Sequence, residues 1–123
     1  MNPDHRNIER DTLKNNNYRK VIYTVPDKTQ LVLMSLKPGE DIPMEVHPHI
    51  AQFFRVEKGK GIAIINDQKY RLKDGFSIII PPNTKHYIKN TSPTDDLKMY
   101  TLYSPPNHPP DRINKRQPLV EKD

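Results

Sequence analysis

Two stretches decide the fold of this chain: GEDIPMEVHPHIAQFFRVEKGKG at residues 39–61 and GFSIIIPPNTKHYIKN at residues 75–90. Each places polar side chains that carry nitrogen or oxygen donors inside an apolar, strand-like segment. Burying such a group without a partner costs roughly 2–7 kcal/mol, so something must satisfy these donors. One metal ion would satisfy several of them at once, and the two stretches together therefore predict a metal centre.

The spacing of the polar residues predicts four ligands for this centre. Side chains of a strand alternate between its two faces, so Glu45 and His47 are expected to point the same way. Gln52 is the polar member of the next apolar run, and His86 follows a turn predicted at residues 81–83. The four residues offer two imidazole nitrogens and two side-chain oxygens. This set suits one divalent transition-metal ion, namely Zn, Mn, Fe, Co or Ni.

Each predicted ligand also has a purely structural interpretation. Either histidine, His47 or His86, could be a residue that is satisfied within the core, and Glu45 alone could lie at the surface end of a strand. Gln52 carries no charge and could orient a water instead of binding the ion. Three further histidines are predicted to lie outside the ligand set, with His49 at the rim, His108 in the tail and His5 in solvent.

The two stretches resemble the two sequence motifs of the cupins. The positions that correspond to the first motif are Gly39, Glu45, His47, Gln52 and Gly59, and those that correspond to the second are Gly75, Pro81, Asn83, His86 and Asn90. Glu45 stands where the motif has its first histidine, and Gln52 where it has an acidic residue. Asn83 replaces a glycine, but asparagine tolerates the left-handed backbone that such a glycine adopts. The resemblance implies an all-β fold, a double-stranded β-helix or jelly roll that forms a small barrel of antiparallel sheets.

A narrower resemblance is to the small single-domain cupins described as similar to mannose-6-phosphate isomerase. It is carried by QLVLMSL at residues 30–36, EVH at 45–47, QFFR at 52–55 and LKMYTLYSPPNHPP at 97–110. In that branch Glu, His, Gln and His are the usual ligand set. The resemblance therefore implies metal ligation by Glu45, His47, Gln52 and His86.

The same resemblance implies an isomerase-like function on a small polar molecule in the barrel, a sugar or a sugar phosphate. The sequence offers no clear general base for such a reaction, because Glu45 is already assigned to the metal. No catalytic residue is therefore predicted. Two alternatives stay open: a metal-dependent dioxygenase, since two histidines and a carboxylate suit Fe(II), and a binding or structural module without catalysis.

Composition limits the compartment and the partners. The chain has 123 residues, the length of one domain, and no cysteine, so neither disulfides nor thiolate ligands are expected. No apolar segment in residues 1–20 could serve as a signal peptide or membrane span, which predicts a cytoplasmic protein without a membrane partner. The net charge is +5, but the basic residues are interspersed with acidic ones and form no single stripe. We therefore expect no specific nucleic-acid binding.

Three regions are predicted along the chain. Residues 1–19 form a polar arm with a short helical turn near residues 8–13, residues 20–104 form the barrel domain, and residues 105–123 form a proline-rich tail extended over the surface. Turn residues are predicted at Asn66-Asp67 and Lys73-Asp74-Gly75. The apolar runs between turns predict nine strands, at residues 20–25, 30–36, 44–47, 51–57, 61–65, 69–72, 76–80, 86–89 and 97–103.

A homodimer is the expected assembly. A barrel this small leaves sheet edges and an apolar outer face that need covering. Residues 18–25 offer material for pairing with a second copy, and a closed two-fold pair is the expected symmetry. The resemblance to cupins of this kind also implies a dimer.

Overall fold

The structure, a computed structural model, describes residues 1–119 as one short helix and ten strands. No helix among these residues is long and apolar enough to cross a membrane. The elements are α1 (Ile8–Lys14), β1 (Arg19–Val25), β2 (Thr29–Leu36), β3 (Asp41–Glu45), β4 (Ala51–Lys58), β5 (Gly61–Ile65), β6 (Gln68–Leu72), β7 (Ser77–Ile80), β8 (His86–Asn90), β9 (Leu97–Ser104) and β10 (Ile113–Asn114).

The strands form two antiparallel sheets. The larger sheet has the order β10-β1-β2-β9-β4-β7, and the smaller has the order β3-β8-β5-β6. Strands β4 and β9 alternate buried and partly exposed positions, so each turns one apolar face toward the interior. The core between the sheets includes Val32, Met34, Phe54, Ile88 and Met99. The prediction of an all-β jelly-roll barrel of antiparallel sheets is confirmed.

The turns lie where the sequence predicts them. Asn66 and Asp67 join β5 to β6 with positive φ values of 48° and 68°, as a two-residue hairpin turn of type I′ requires. Gly75 precedes β7 with a φ of 84°. Asn83 has a φ of 61°, so the left-handed conformation expected at this position is confirmed.

Strand β3 differs from the prediction. It ends at Glu45, so His47 lies two residues beyond the strand rather than on it. The register between β3 and β8 shifts just before Glu45, and Pro48 has no amide hydrogen with which to continue a ladder. The His47 carbonyl instead accepts a hydrogen bond from the Asn83 amide at 2.7 Å. The prediction that strand alternation positions His47 is therefore wrong. A hydrogen bond between two loops holds its backbone instead.

The segment after β9 returns to the barrel. Strand β10 pairs with β1 at Arg19 and Lys20. The side chain of Gln30, fully buried on β2, accepts hydrogen bonds from the amides of Asn107 and His108 at 3.2 and 3.0 Å and donates to the His108 carbonyl at 2.7 Å. The expectation that this segment lies over the surface is therefore wrong for His108, which is 7% exposed. The division of the chain into arm, barrel and tail stays a prediction.

Candidate metal centre

Three of the four predicted ligands converge inside the barrel. The ligand atoms of Glu45, His47 and His86 all lie within 4.8 Å of one another. Glu45 Oε1 is 3.4 Å from His47 Nε2 and 3.6 Å from His86 Nε2. Two donors that each stand roughly 2.1 Å from a tetrahedral ion are about 3.4 Å apart, so these separations match ligands of one metal.

Sheet pairing and a local hydrogen bond position His86. The residue opens β8 directly across from Glu45 of β3, and it is 1% exposed. Its Nδ1 lies 3.0 Å from the Thr84 carbonyl, which can only accept, so Nδ1 carries the proton. The Nε2 atom then holds the lone pair, which is the arrangement that a metal-binding histidine requires.

Gln52 lies on β4, paired with Tyr103 of β9. Its Nε2 donates to Thr101 Oγ1 at 3.1 Å, and its Oε1 is buried without a hydrogen-bond partner. The Tyr103 ring meets the His47 ring edge-on, with 6.3 Å between the centroids. Gln52 is therefore paired with the residue whose ring contacts His47, and Thr101 fixes the orientation of its amide.

Three donor atoms of this group are buried without a hydrogen-bond partner: Nε2 of His47, Nε2 of His86 and Oε1 of Gln52. Most buried polar atoms in folded proteins have a partner, so these three unpartnered atoms need an explanation. Imidazole nitrogens together with carboxylate and amide oxygens are ligands that Zn, Mn, Fe, Co and Ni accept. The residues present fit such an ion.

Two opposing effects act on the Glu45 carboxyl. Burial raises its pKa, but the neighbouring His47 and His86 rings lower it more, and the pKa falls from 4.5 to about 2. The carboxylate is therefore ionised at neutral pH. It supplies the single negative charge among the four residues, which favours a cation between them.

His108 is a residue that the sequence reasoning missed. Its Nε2 lies 3.3 Å from the Tyr103 hydroxyl, and the two rings meet edge-on with 5.2 Å between centroids. Burial first, and then the positive charge of Arg19, lower the pKa of His108 to about 3. The signal available in the sequence was Gln30, a polar residue within the apolar run of β2, whose buried amide holds the His108 backbone.

Two exposed histidines and two surface grooves lie outside the group of predicted ligands. His5 and His49 are both exposed, as predicted. Two surface grooves of about 570 Å³ each lie on and beside β6, and neither is lined by a predicted ligand. The converging side chains are therefore separate from these two grooves.

The chain is similar to proteins from a virus and a bacterium. Protein L612 of Acanthamoeba polyphaga mimivirus is 52% identical over 115 residues, which cover 91% of this chain and 71% of that protein. YrkC of Bacillus subtilis is 42% identical over 109 residues, which cover 84% of this chain and 58% of that protein. The chain thus spans little more than half the length of the Bacillus subtilis relative.

A solved structure matches nearly the whole chain, and a family model identifies the family. The crystal structure of BH2720 from Bacillus halodurans matches with a TM-score of 0.89 and 36% identity, covering 94% of this chain and 90% of that one. Mannose-1-phosphate guanylyltransferase RfbM of Salmonella typhimurium is 32% identical over 71 residues, which are 58% of this chain but only 15% of that enzyme. The model of the cupin domain matches residues 32–103, more than half of the chain and the part that holds all four predicted ligands. The chain therefore belongs to the cupin family.

Proposed function

We propose that Glu45, His47, Gln52 and His86 hold one divalent transition-metal ion in the barrel, and that the protein binds or acts on a small polar molecule beside it. The observation that supports this most directly is the group of three buried donor atoms without a hydrogen-bond partner. The two histidine nitrogens adjoin the ionised Glu45 carboxylate, and the four side chains together suit Zn, Mn, Fe, Co or Ni.

The four residues have distinct roles in this proposal. Glu45 balances charge, and His86 and Gln52 are oriented by hydrogen bonds to Thr84 and Thr101. His86 and Gln52 are 1% and 2% exposed, so they exclude water from their side of the centre. When bound, the ion would supply Lewis-acid polarisation of an oxygen atom of the ligand.

A sugar or sugar phosphate is the ligand class that we propose for the barrel. The resemblance to cupins similar to mannose-6-phosphate isomerase supports it, as does the match of part of this chain to a mannose-1-phosphate guanylyltransferase. Isomerase-like chemistry also needs a group that moves a proton. Because the four ligands are engaged by the metal, that group must come from elsewhere in the barrel.

The Glu45, His47 and His86 triad also supports a second candidate function, an iron-dependent dioxygenase. Metal analysis of protein expressed without supplementation separates the candidates. Iron together with oxygen consumption would favour the dioxygenase. A redox-inert metal with interconversion of sugar phosphates would favour the isomerase, and a redox-inert metal with neither activity would favour a binding or structural module.

Substitution of Gln52 should weaken metal binding less than substitution of Glu45. Gln52→Ala removes a neutral dipole, whereas Glu45→Ala removes the charge that offsets the cation. We expect a loss of affinity of roughly 10- to 100-fold for Gln52→Ala, and a larger loss for Glu45→Ala. Competition against a chromogenic chelator measures both affinities.

The matched control for this ranking is Glu57→Ala. Glu57 also carries a carboxylate, but it lies on β4 and pairs with Arg55 at 3.3 Å rather than with the histidines. Metal affinity should be unchanged in this variant. A larger loss in Gln52→Ala than in Glu45→Ala would mean that the roles of these two residues are reversed.

We also propose that the chain forms a homodimer. Tyr18 and Val21 are buried in their own core, so residues 18–25 are less available for pairing than the sequence suggests. Ile79 is 69% exposed on the edge strand β7, which leaves an apolar edge to cover.

Light scattering at micromolar concentration should give the mass of a dimer, and Ile79→Lys should shift it toward monomer. Ile113→Lys on β10 is the control, and a monodisperse monomer of the unmodified chain would refute the dimer.

Location and other partners remain proposals that rest on composition. We propose a cytoplasmic protein without a membrane partner, a location that suits a chain with no cysteine. We propose no specific nucleic-acid binding, because the basic residues are interspersed with acidic ones.

A further inference from the structure

Strand β6 lies at one end of the smaller sheet and presents an open edge. It pairs with β5 on one side, and no strand of residues 1–119 pairs with its other side. Four of its five residues are exposed. An unpaired strand edge offers a row of backbone N–H and C=O groups with which an extended chain can pair. The edge of β6 is therefore a place where another polypeptide segment can add as a fifth strand of this sheet.

The side chains of β6 alternate between two environments. Leu72 is 3% exposed in the core, so Tyr70, two residues away, lies on the same inner face. Lys69 and Arg71 lie on the outer face. Two grooves of about 570 Å³ each border the strand: Tyr70 lines only one of them, and Ile62, the register partner of Arg71, lines only the other. The edge thus has one groove on its inner side and another on its outer side.

The outer groove, here called the basic groove, is lined by four cations and by no acidic residue. The cations are Lys60, Lys69, Arg71 and Lys73. Within the described residues 1–119, the first three of these take part in no ion pair. Lys73 lies over the Phe76 ring, with its Nζ 5.2 Å from the ring centroid. Cations that no carboxylate neutralises attract an anionic partner, and such charge complementarity also selects among partners.

The inner groove, here called the apolar groove, is lined mainly by apolar side chains. Tyr70 and Phe76 are 46% and 41% exposed, and Ile78 of β7 lies beside them. Exposed apolar surface of this kind stabilises a complex when the apolar side chains of a partner cover it. Ile79, on which the proposed dimer rests, also lines this groove, but it belongs to β7 and not to the open edge of β6.

Two ways of covering this edge with a second copy of the chain are disfavoured. Pairing of β6 with β6 would bring Lys69 and Arg71 of both copies onto one sheet, and like charges across strands destabilise pairing. Pairing of β6 with β3, the other edge of the sheet, would use the acidic residues of β3. Asp41 already accepts a hydrogen bond from the Tyr87 hydroxyl at 2.7 Å, and Glu45 lies in the metal cluster. The edge therefore suits an occupant that brings its own acidic side chains.

We propose that the edge of β6 binds an extended segment of a partner protein in which acidic and apolar residues alternate. Successive side chains of a strand point to opposite faces, so the acidic side chains enter the basic groove and the apolar ones enter the apolar groove. A segment as long as the five residues of β6 is sufficient. No predicted metal ligand lines either groove, so this surface is independent of the proposed function.

Fluorescence anisotropy of a labelled synthetic peptide, titrated with the full-length chain, tests the proposal. The first probe alternates glutamate and valine, and a scrambled probe of the same composition has its glutamates in one run. Saturable binding of the alternating probe is expected, with weaker binding of the scrambled one. Lys69→Glu with Arg71→Glu should weaken binding of the alternating probe by roughly tenfold, because two favourable charge pairs become repulsive. This charge-reversed variant should instead prefer a probe in which lysines replace the glutamates.

Lys28→Glu with Lys115→Glu is the matched control. It changes the net charge by the same amount, but both residues are exposed and neither lines a groove beside β6. Binding should be unchanged in this control. No binding of the alternating probe, equal binding of the two probes, or unchanged binding by the charge-reversed variant would each overturn the proposal. Circular dichroism checks each variant, and the comparison of the two probes on the unmodified chain decides even if the charge-reversed variant does not fold.

Two other occupants would give different results. A single-stranded oligonucleotide that binds more tightly than the alternating probe and displaces it would indicate a nucleic-acid surface and overturn the proposal. A second copy of the chain is the occupant if the alternating probe does not bind and the charge-reversed variant changes the mass measured by light scattering. Hydrogen exchange locates the bound probe. Slower exchange of the β6 amides is expected, and protection confined to other strands would also overturn the proposal.

Discussion

Replacement of both His47 and His86 by alanine is expected to abolish stoichiometric metal uptake while the β-rich fold is retained. The change removes the Nε2 atoms of His47 and His86, which are both buried without a hydrogen-bond partner. The remaining Glu45 and Gln52 oxygens form too small a set to hold a transition metal tightly. Elemental analysis after dialysis gives the metal content, and far-ultraviolet circular dichroism gives the fold.

The double variant His5→Ala with His49→Ala is the matched control. It also removes two imidazoles, but both of these side chains are exposed and lie outside the cluster. Metal content should be unchanged in this control. Full retention of metal in the His47 and His86 variant would refute the assignment of the site.

Gly59→Ala is expected to give the largest loss of stability from a single added methyl group at a motif glycine. The residue has a φ of 119°, and a Cβ there would lie 2.7 Å from the Asp96 carbonyl oxygen and 2.9 Å from the Leu97 Cα. Both neighbours are backbone atoms and cannot move aside cheaply. We expect roughly 2–5 kcal/mol of destabilisation, from the strained backbone and from overpacking, measured by urea unfolding.

Gly75→Ala separates these two contributions. Gly75 also has a positive φ, 84°, but a Cβ there would meet nothing within 4 Å. Only the backbone strain should remain, roughly 1–2 kcal/mol. Equal losses in the two variants would show that the contact with Asp96 and Leu97 contributes nothing.

Features that depend on neighbouring residues were predictable from the sequence. Apolar runs and turn residues located the first nine strands to within a few residues, because alternation and left-handed turn positions are local properties. Asn66, Asp67 and Asn83 adopt the positive φ values that their residue types suggest. Convergence of Glu45, His47 and His86 was expected from the two sequence motifs and not from local patterns, and the three residues do converge.

Features that depend on distant contacts were not predictable. His47 is placed by the Asn83 amide, 36 residues along the chain, and not by the alternation of a strand. His108 is held by Gln30 across a separation of 78 residues. Strand β10 has two residues, too few to show a period in the sequence. Such contacts arise only when the barrel has closed.

The proposed metal ligands and the contact that holds the segment after β9 come from different parts of the sequence. The four predicted ligands all fall within residues 32–103, the part matched by the cupin domain model, and Tyr103 is the last residue of that part. Gln30 and His108, which are hydrogen-bonded to each other, lie on either side of it. Tyr103 contacts both the His47 ring and the His108 ring, so this one side chain joins the matched part to the segment that follows it.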